Sequence, residues 1–313
     1  MIHNDFEVEV QIVDHCNLKC DYCNHFSNIA EPWFMSKEEF VFILEKIKKE
    51  LYPHGLIRLM ILGGEPFLHP QLLEFLQIAK EFFPYNHFYI DVLTNGLIYS
   101  NFDEDRKNLF KTFAHISCTP YPEIAEKILN ESTMASRLFF LNSPVLDNPK
   151  QEKEECNKYK IPCLFIRDYK LYLCPFAGCI HNYNNHFNKS IPITKDDYID
   201  MHELTYDKLQ DFLSQKNKNI CNYCSQKLSS LFWSHNNYNK IEDYQEIDWK
   251  QMFLTDYEKY DMLKNGSHLI KNFIQKDLIK QIDYSYCQES LSPFLNRVKG
   301  SLDIIIPYYN ITK

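Results

Sequence analysis

Between residues 7 and about 142 two hydrophobic periods take turns along the chain, and this alternation restricts the possible folds more than any other feature. "FEVEVQIVDH" alternates and is rich in β-branched residues, the pattern of a strand. "SKEEFVFILEKIKKEL" has a helical period and opens with Ser36 three residues before Glu39, which predicts a capping box. Then come a buried strand "LIRLMIL", a helix "HPQLLEFLQIAKEFF" with Pro70 near its start, and a strand "HFYIDVLTNG". A helix "DEDRKNLFKTF", a strand "HISCT", a helix "PEIAEKILNES" and a strand "RLFFLN" complete the series. Strands joined through helices pair in parallel, so the expected class is α/β with helical crossovers. The loops that follow the strands then gather at one end of the sheet, where barrel enzymes place their chemistry. Four such loops stand out: the "CNLKCDYC" loop, "GGEPF", "TNG" and "CTPYP".

The chain has 313 residues, enough for one large or two ordinary domains with a real core. Its net charge of −8 argues against a general surface for nucleic acid or acidic membrane. The start lacks a charged-then-apolar leader, and no apolar run reaches the roughly 18 residues of a membrane span. A cytoplasmic location is expected. There are 11 cysteines, an odd number. In a chain without a leader, metal or catalytic use is a better reading than a disulfide framework.

Cys16, Cys20 and Cys23 follow the first strand at gaps of three and two residues. A four-iron cluster usually takes four thiolates, so three leave one iron able to bind a small molecule through an amine and a carboxylate. Zinc is the competing occupant, and it would want a fourth ligand. This spacing, with Tyr22 just before Cys23, resembles the radical S-adenosylmethionine superfamily. The resemblance covers residues 7 to about 142, because further motifs fall in order: "GGEP" at 63–66 after the second strand, "TNG" at 94–96 after the third, and Ser117 near the end of the fourth. It implies a partial, open (β/α)6 barrel whose Cys16, Cys20 and Cys23 hold the [4Fe-4S] cluster. It also implies that the cofactor S-adenosylmethionine lies against Tyr22, Gly63, Gly64, Glu65, Thr94, Asn95 and Ser117. Glu65 and the backbone beside it would take the methionine amine, the two glycines permitting close approach.

The alternation stops near "NSPVLDNPKQEKEEC". We therefore divide the chain into a core at 1–145, an auxiliary region at 150–235, a helical tail at 236–300, and a segment 301–313 of separate character. "CLFIRDYKLYLC" reads as a hairpin turning at Asp168-Tyr169, which sets Cys163 opposite Cys174. With the later "CNYC" this resembles a twitch or SPASM-type extension carrying one auxiliary [4Fe-4S] cluster on Cys163, Cys174, Cys221 and Cys224. Cys156 is a rival for one position, and Cys179, after a "CPFAG" turn, is spare.

"CNHFSNIA" resembles a subgroup with "CSHFSPLA" in the same place, often encoded beside glycosyltransferase genes, and "LDIIIPYYN" near the end resembles the first strand of such transferases. Both imply a radical enzyme that oxidises or epimerises a sugar or nucleotide sugar. The expected partners are a reductant such as flavodoxin or ferredoxin, and a glycosyltransferase. The alternative is modification of a peptide side chain; only residues 1–6 precede the first strand, leaving no room for a peptide-recognition domain there. Cys118 is a candidate hydrogen-atom donor if it faces the substrate, although its neighbour Ser117 must then face away.

Overall fold

Strand β1 (Phe6–Gln11) occupies the middle of the sheet and divides its residues between two environments. Val8 and Val10 point to one face and are fully buried, while Glu9 and Gln11 point to the other, as a period of two requires. The structure, a computed structural model, describes residues 6–20, 23–85, 87–119, 139–142, 145–146, 148–149, 164–215, 218–224 and 229–232. Tyr22, Cys156, Cys163, the predicted helix "PEIAEKILNES" and the segment from 236 to 313 lie outside them.

Strands β2 (Leu56–Leu62), β3 (Tyr89–Thr94) and β4 (His115–Cys118) add in parallel on one side of β1. Strand β6 (Leu164–Arg167) adds in parallel on the other, followed by β7 (Lys170–Tyr172) and β8 (Tyr198–Asp200) in antiparallel sense. The order β4-β3-β2-β1-β6-β7-β8 does not close, so this is an open α/β sheet of the partial-barrel kind. Helices α1 (Lys37–Lys46), α2 (Leu72–Phe82) and α3 (Glu104–Phe113) pack on one face. There Phe40 and Phe75, both fully buried, stack with centroids 4.3 Å apart. Each such ring contributes about 1.5–3 kcal/mol over its exposed state. Asp103 caps α3 through the Arg106 N–H, as its position before a charged first turn leads one to expect.

Several expectations change. Ser36 does cap α1 by accepting from the Glu39 N–H, but the Glu39 carboxylate does not return to Ser36. It accepts instead from the Tyr169 N–H at 3.2 Å, so tertiary contact with the hairpin turn takes the place of the second half of the box. The hairpin pairs as expected, Phe165 with Tyr172 and Arg167 with Lys170. Asp168 and Tyr169 both have left-handed φ, 51° and 54°, the primed turn that strand twist selects, here with Tyr where Gly is easiest. "CPFAG" is the first turn of helix α4 (Pro175–Phe187), with Pro175 at the position whose missing N–H costs nothing. Strand β5 (Phe139–Asn142) does not extend the parallel set; it pairs antiparallel with β9 (Ser229–Phe232), in the stretch assigned to the auxiliary region. Helix α5 (Tyr206–Ser214) completes the described elements.

The face of the sheet away from α1–α3 is mixed: Glu7, Glu9, Gln11, Arg58, Asp91, His115 and Ser117 alternate with residues of the helix-side core, while Leu62, Phe165 and Tyr172 on this face belong to a second apolar cluster. Arg58 reaches both Glu7 and the buried Asp91, and His115 Nδ1 meets Asp91 Oδ1 at 2.7 Å. Asp91 is the buried member, while Arg58 and His115 keep access to water, so its removal costs the charge-assisted hydrogen bonds and leaves no stranded charge. Asp91→Ala is therefore expected to cost about 1–3 kcal/mol in urea unfolding. Lys37→Ala, whose pair with Glu74 lies in solvent, is expected to leave the midpoint unchanged.

Candidate active site

Beyond β1 the chain stays extended and is stitched on both sides. Ile12 N–H donates to Leu62 O at 2.9 Å, Gly64 N–H to Val13 O at 2.8 Å, and Glu65 N–H to His15 O at 3.1 Å. On the other side Asp14 N–H donates to Trp33 O at 3.2 Å and Met35 N–H to Ile12 O at 2.9 Å. The two glycines of "GGEP" serve this stitching. A Cβ on Gly63 would stand 2.4 Å from Val13 O, and one on Gly64 would stand 2.1 Å from His15 O. The close approach expected of these glycines is thus to the chain that leads into the cysteine loop.

Glu65 is fully buried, with Thr94 Oγ1 donating to it at 2.7 Å, the Asn95 N–H at 2.9 Å and the Phe67 N–H at 3.0 Å. Burial pushes its carboxyl up to about 7, against the pull of those three donors. Its carboxylate joins "GGEP" to "TNG". Asn95 carries the connection on, Nδ2 donating to Asn17 Oδ1 at 2.7 Å and lying 3.7 Å from Cys16 Sγ. The three predicted loops are therefore one assembly at the C-terminal ends of β1, β2 and β3.

Cys20 is buried and Cys16 and Cys23 half-buried. Burial pushes the Cys16 thiol well up; the charge of Glu65 adds to this, as do Cys20 and Cys23, against the Leu18 N–H that points at its sulfur at 3.3 Å. A thiol raised by burial, by an acid and by two neighbouring thiols is a poor arrangement on its own and a good one for a cation. Two buried polar atoms flank the loop, His15 Nδ1 and Ser27 Oγ, with no hydrogen-bond partner among the described residues. The donor set thus fits an iron–sulfur cluster. Among the described residues no three His, Cys, Asp or Glu converge as a single ion demands; a cluster, whose thiolates bind separate irons, does not demand it.

Sequence reasoning missed the other half of this site. Asp14, two residues before Cys16, is buried, and Arg167 grips it with two hydrogen bonds, Nε to Oδ1 at 2.8 Å and Nη2 to Oδ2 at 2.6 Å. His181 Nε2 lies 3.2 Å from Oδ2, and Gln11 Nε2 donates to Oδ1 at 2.6 Å. Burial alone would raise the carboxyl, but His181, Arg167 and Gln11 together hold it down at about 2. Since Gln11 donates with its nitrogen, its oxygen is the acceptor for His25 Nδ1–H at 2.7 Å, which sets that tautomer. The available clue was an acid beside the first cysteine and an arginine in the hairpin.

The remaining predicted residues are dispersed. Thr94 is buried behind Asn95; Ser117 is buried on the mixed face with its hydroxyl 3.0 Å from His115 Nδ1. Cys118 lies in the helix-side core with Val92 and Ile116, so strand alternation turns it away from the mixed face and it does not serve as a hydrogen donor there. Cys174 precedes α4, and Cys174 and Cys224 pack against one apolar cluster with Phe165, Tyr172 and Ile220. Cys221 and Cys224 lie on and beside a 3-10 turn, with Cys224 N–H donating to Cys221 O at 3.3 Å. Cys179 is buried on α4 and donates to Gln11 Oε1 at 3.5 Å.

Residues 10–129 match the Radical SAM superfamily. The chain is similar to a GTP 3',8-cyclase of Microcystis aeruginosa, 26% identical over 101 residues, which are 31% of this chain and 29% of the relative. It is similar also to the sporulation killing factor maturation protein SkfB of Bacillus subtilis, 26% identical over 108 residues, 34% of this chain and 24% of the relative. The chain thus spans less than a third of either relative. Among solved structures, BtrN in complex with AdoMet and 2-DOIA aligns over 77% of this chain and 99% of its own, at 12% identity and a TM-score of 0.44.

The raised Glu65 carboxyl has a consequence for stability. Its folded value, about 7, lies above the ordinary 4.5, so the folded state holds the proton more tightly than the unfolded one. The resulting stabilisation is full below 4.5 and is lost as pH rises through 7, on the order of 3 kcal/mol. Asp14 acts in a separate window, its contribution present above 3.8 and lost as pH falls toward 2. Urea unfolding of metal-free protein between pH 4.5 and 7.5 is expected to show the Glu65 decline, and Glu65→Gln is expected to remove it.

Proposed function

We propose, from the match of residues 10–129 to the Radical SAM superfamily, that the chain abstracts hydrogen from a small substrate, a sugar or nucleotide sugar, leading to its oxidation or epimerisation. When bound, a four-iron cluster with S-adenosylmethionine would supply the 5′-deoxyadenosyl radical that takes the hydrogen. Cys16, Cys20 and Cys23 are the ligands in this reading. The observation that carries it is the single hydrogen-bonded assembly of the cysteine, "GGEP" and "TNG" loops through Glu65 and Asn95. Gly63, Gly64, Thr94, Asn95 and Ser117, with Tyr22 from outside the described residues, would be the cofactor-binding residues in this reading. Glu65, with its carboxylate occupied by three donors, acts by locking two of these loops together.

The sugar reading draws support from the polar side chains on the inner face, which suit a hydroxyl-bearing substrate, from the "CNHFS" loop, and from the "LDIIIPYYN" segment, which lies outside the described residues. The likeness to SkfB favours the second reading, a peptide substrate. An auxiliary cluster on Cys163, Cys174, Cys221 and Cys224 draws support from the apolar cluster shared by Cys174 and Cys224. Electrons would come from a flavodoxin or ferredoxin, and a glycosyltransferase would use the product, in the cytoplasm. No helix among the described residues is long and apolar enough to cross a membrane.

Anaerobically reconstituted, reduced protein is expected to convert S-adenosylmethionine to 5′-deoxyadenosine, and Cys20→Ala to abolish this. Turnover in the Cys16, Cys20 and Cys23 triple alanine variant would sink the assignment. Deuterium passing into 5′-deoxyadenosine from labelled nucleotide sugars, and not from labelled peptides, would separate the two substrate readings. Iron is expected at about eight per chain, falling to about four in the triple variant. Zinc after anaerobic purification would overturn the auxiliary cluster.

A further inference from the structure

The network of buried Gln11, Asp14, Arg167 and Cys179 with half-buried His25 and His181 has no task in the chemistry just described. Its members come from three places: the end of β1, the cysteine loop, and the β6–α4 segment. The network meets the loop on both sides of the cysteines. Asp14 stands two residues before Cys16 and is held by Arg167 from β6 and His181 from α4. His25 stands two residues after Cys23; its ring is held by Gln11 and its carbonyl oxygen accepts from Asn182 Nδ2 of α4 at 3.3 Å. The Arg167 guanidinium also lies 4.3 Å from the Trp33 ring centroid, and Trp33 O accepts from the Asp14 N–H.

We propose that Arg167 is a positioning residue for the three cysteines. Acting through Asp14, it holds the loop so that Cys16, Cys20 and Cys23 are arranged before any cluster arrives. The role assigned to the loop rests on the radical-enzyme reading; the grip itself rests on geometry. A buried ion pair is a weak source of net stability, because desolvation offsets its attraction, and its better-attested use is to fix one arrangement. Guanidinium suits this use: its planar fork meets both carboxylate oxygens, which an ammonium does not do. The arrangement also gives the hairpin Arg a purpose that the auxiliary cysteines alone do not, since it ties the segment bearing Cys174 to the first cysteine loop.

The test uses the full chain, metal-free and anaerobic. The alkylation rates of Cys16, Cys20 and Cys23 are read by mass spectrometry, with buried Cys118 as an internal monitor of global unfolding. Arg167→Gln is expected to speed alkylation of the loop thiols about tenfold or more, the loss of a charge-assisted grip, with Cys118 still protected. Arg167→Lys keeps the charge without the fork and is expected to fall between. Arg58→Gln breaks the comparable pair with Asp91 elsewhere on the same face and is expected to leave the loop thiols unchanged. Equal rates in Arg167→Gln and wild type would overturn the proposal, as would equal acceleration by Arg167→Gln and Arg58→Gln. If Arg167→Gln fails to fold, so that Cys118 reacts as well, Arg167→Lys decides on the same criteria. Iron content of reconstituted wild type against Cys20→Ala separately tests the radical reading: equal content would defeat that reading while the alkylation rates still judge the grip.

Discussion

The site depends on one short stretch of backbone. Residues 12–15 leave β1 with hydrogen bonds on both edges, to 33–35 on one side and 62–65 on the other. That is how a strand at the centre of a sheet hands its rigidity to the loop that follows. Side chains cannot be accommodated where this stretch meets Gly63 and Gly64, since the first atom of any side chain would overlap a carbonyl oxygen. The glycines, the parallel order of β1, β2 and β3, and the position of the cysteines are thus parts of one constraint. Glu65 extends it to the third loop with a carboxylate that has no solvent to lose hydrogen bonds to.

The parallel core was legible because it obeys local rules. The period of two in β1, the run "LIRLMIL", apolar except for Arg58, and the capping of α1 by Ser36 each follow from residues close in sequence. The hairpin register was legible for the same reason, although Tyr169 in a left-handed turn was not, because its ring is held by Phe42 and His202 from distant parts of the chain. What the sequence concealed was long-range. Glu39 has the right spacing for a reciprocal cap and spends its carboxylate on a turn 130 residues away. "RLFFLN" reads as one more strand of the series, yet its partner is β9, and no local pattern names a partner.

The site divides in the same way. The three cysteines, "GGEP" and "TNG" are legible as motifs because each is contiguous. Asp14 and Arg167 are 153 residues apart, and neither is unusual in its own segment. Their pairing follows from β6 lying beside β1, a neighbour relation that the alternation up to residue 142 does not contain. Cys118 shows the converse: a residue type suited to chemistry, placed by strand alternation on the face that has none.

The two buried acids that border the cysteine loop are treated in opposite ways, and the difference bears on what the loop can hold. Asp14 is given a guanidinium, a histidine and an amide, and its charge is neutralised inside the protein. Glu65 is given only neutral donors, so burial raises it and its negative potential falls on Cys16. Adding a second cation near Glu65 would have stabilised the empty protein and competed with whatever binds there. Leaving that acid without a cation keeps the region short of positive charge, and Cys16, Cys20 and Cys23 add to the shortage whenever they ionise. The positive core of an iron–sulfur cluster would draw the thiols into their ligating form, supplying charge that this side of the loop lacks. The electrostatic bias against the empty state is therefore concentrated on the side of the loop that faces "GGEP" and "TNG", while the side that faces Arg167 is already balanced.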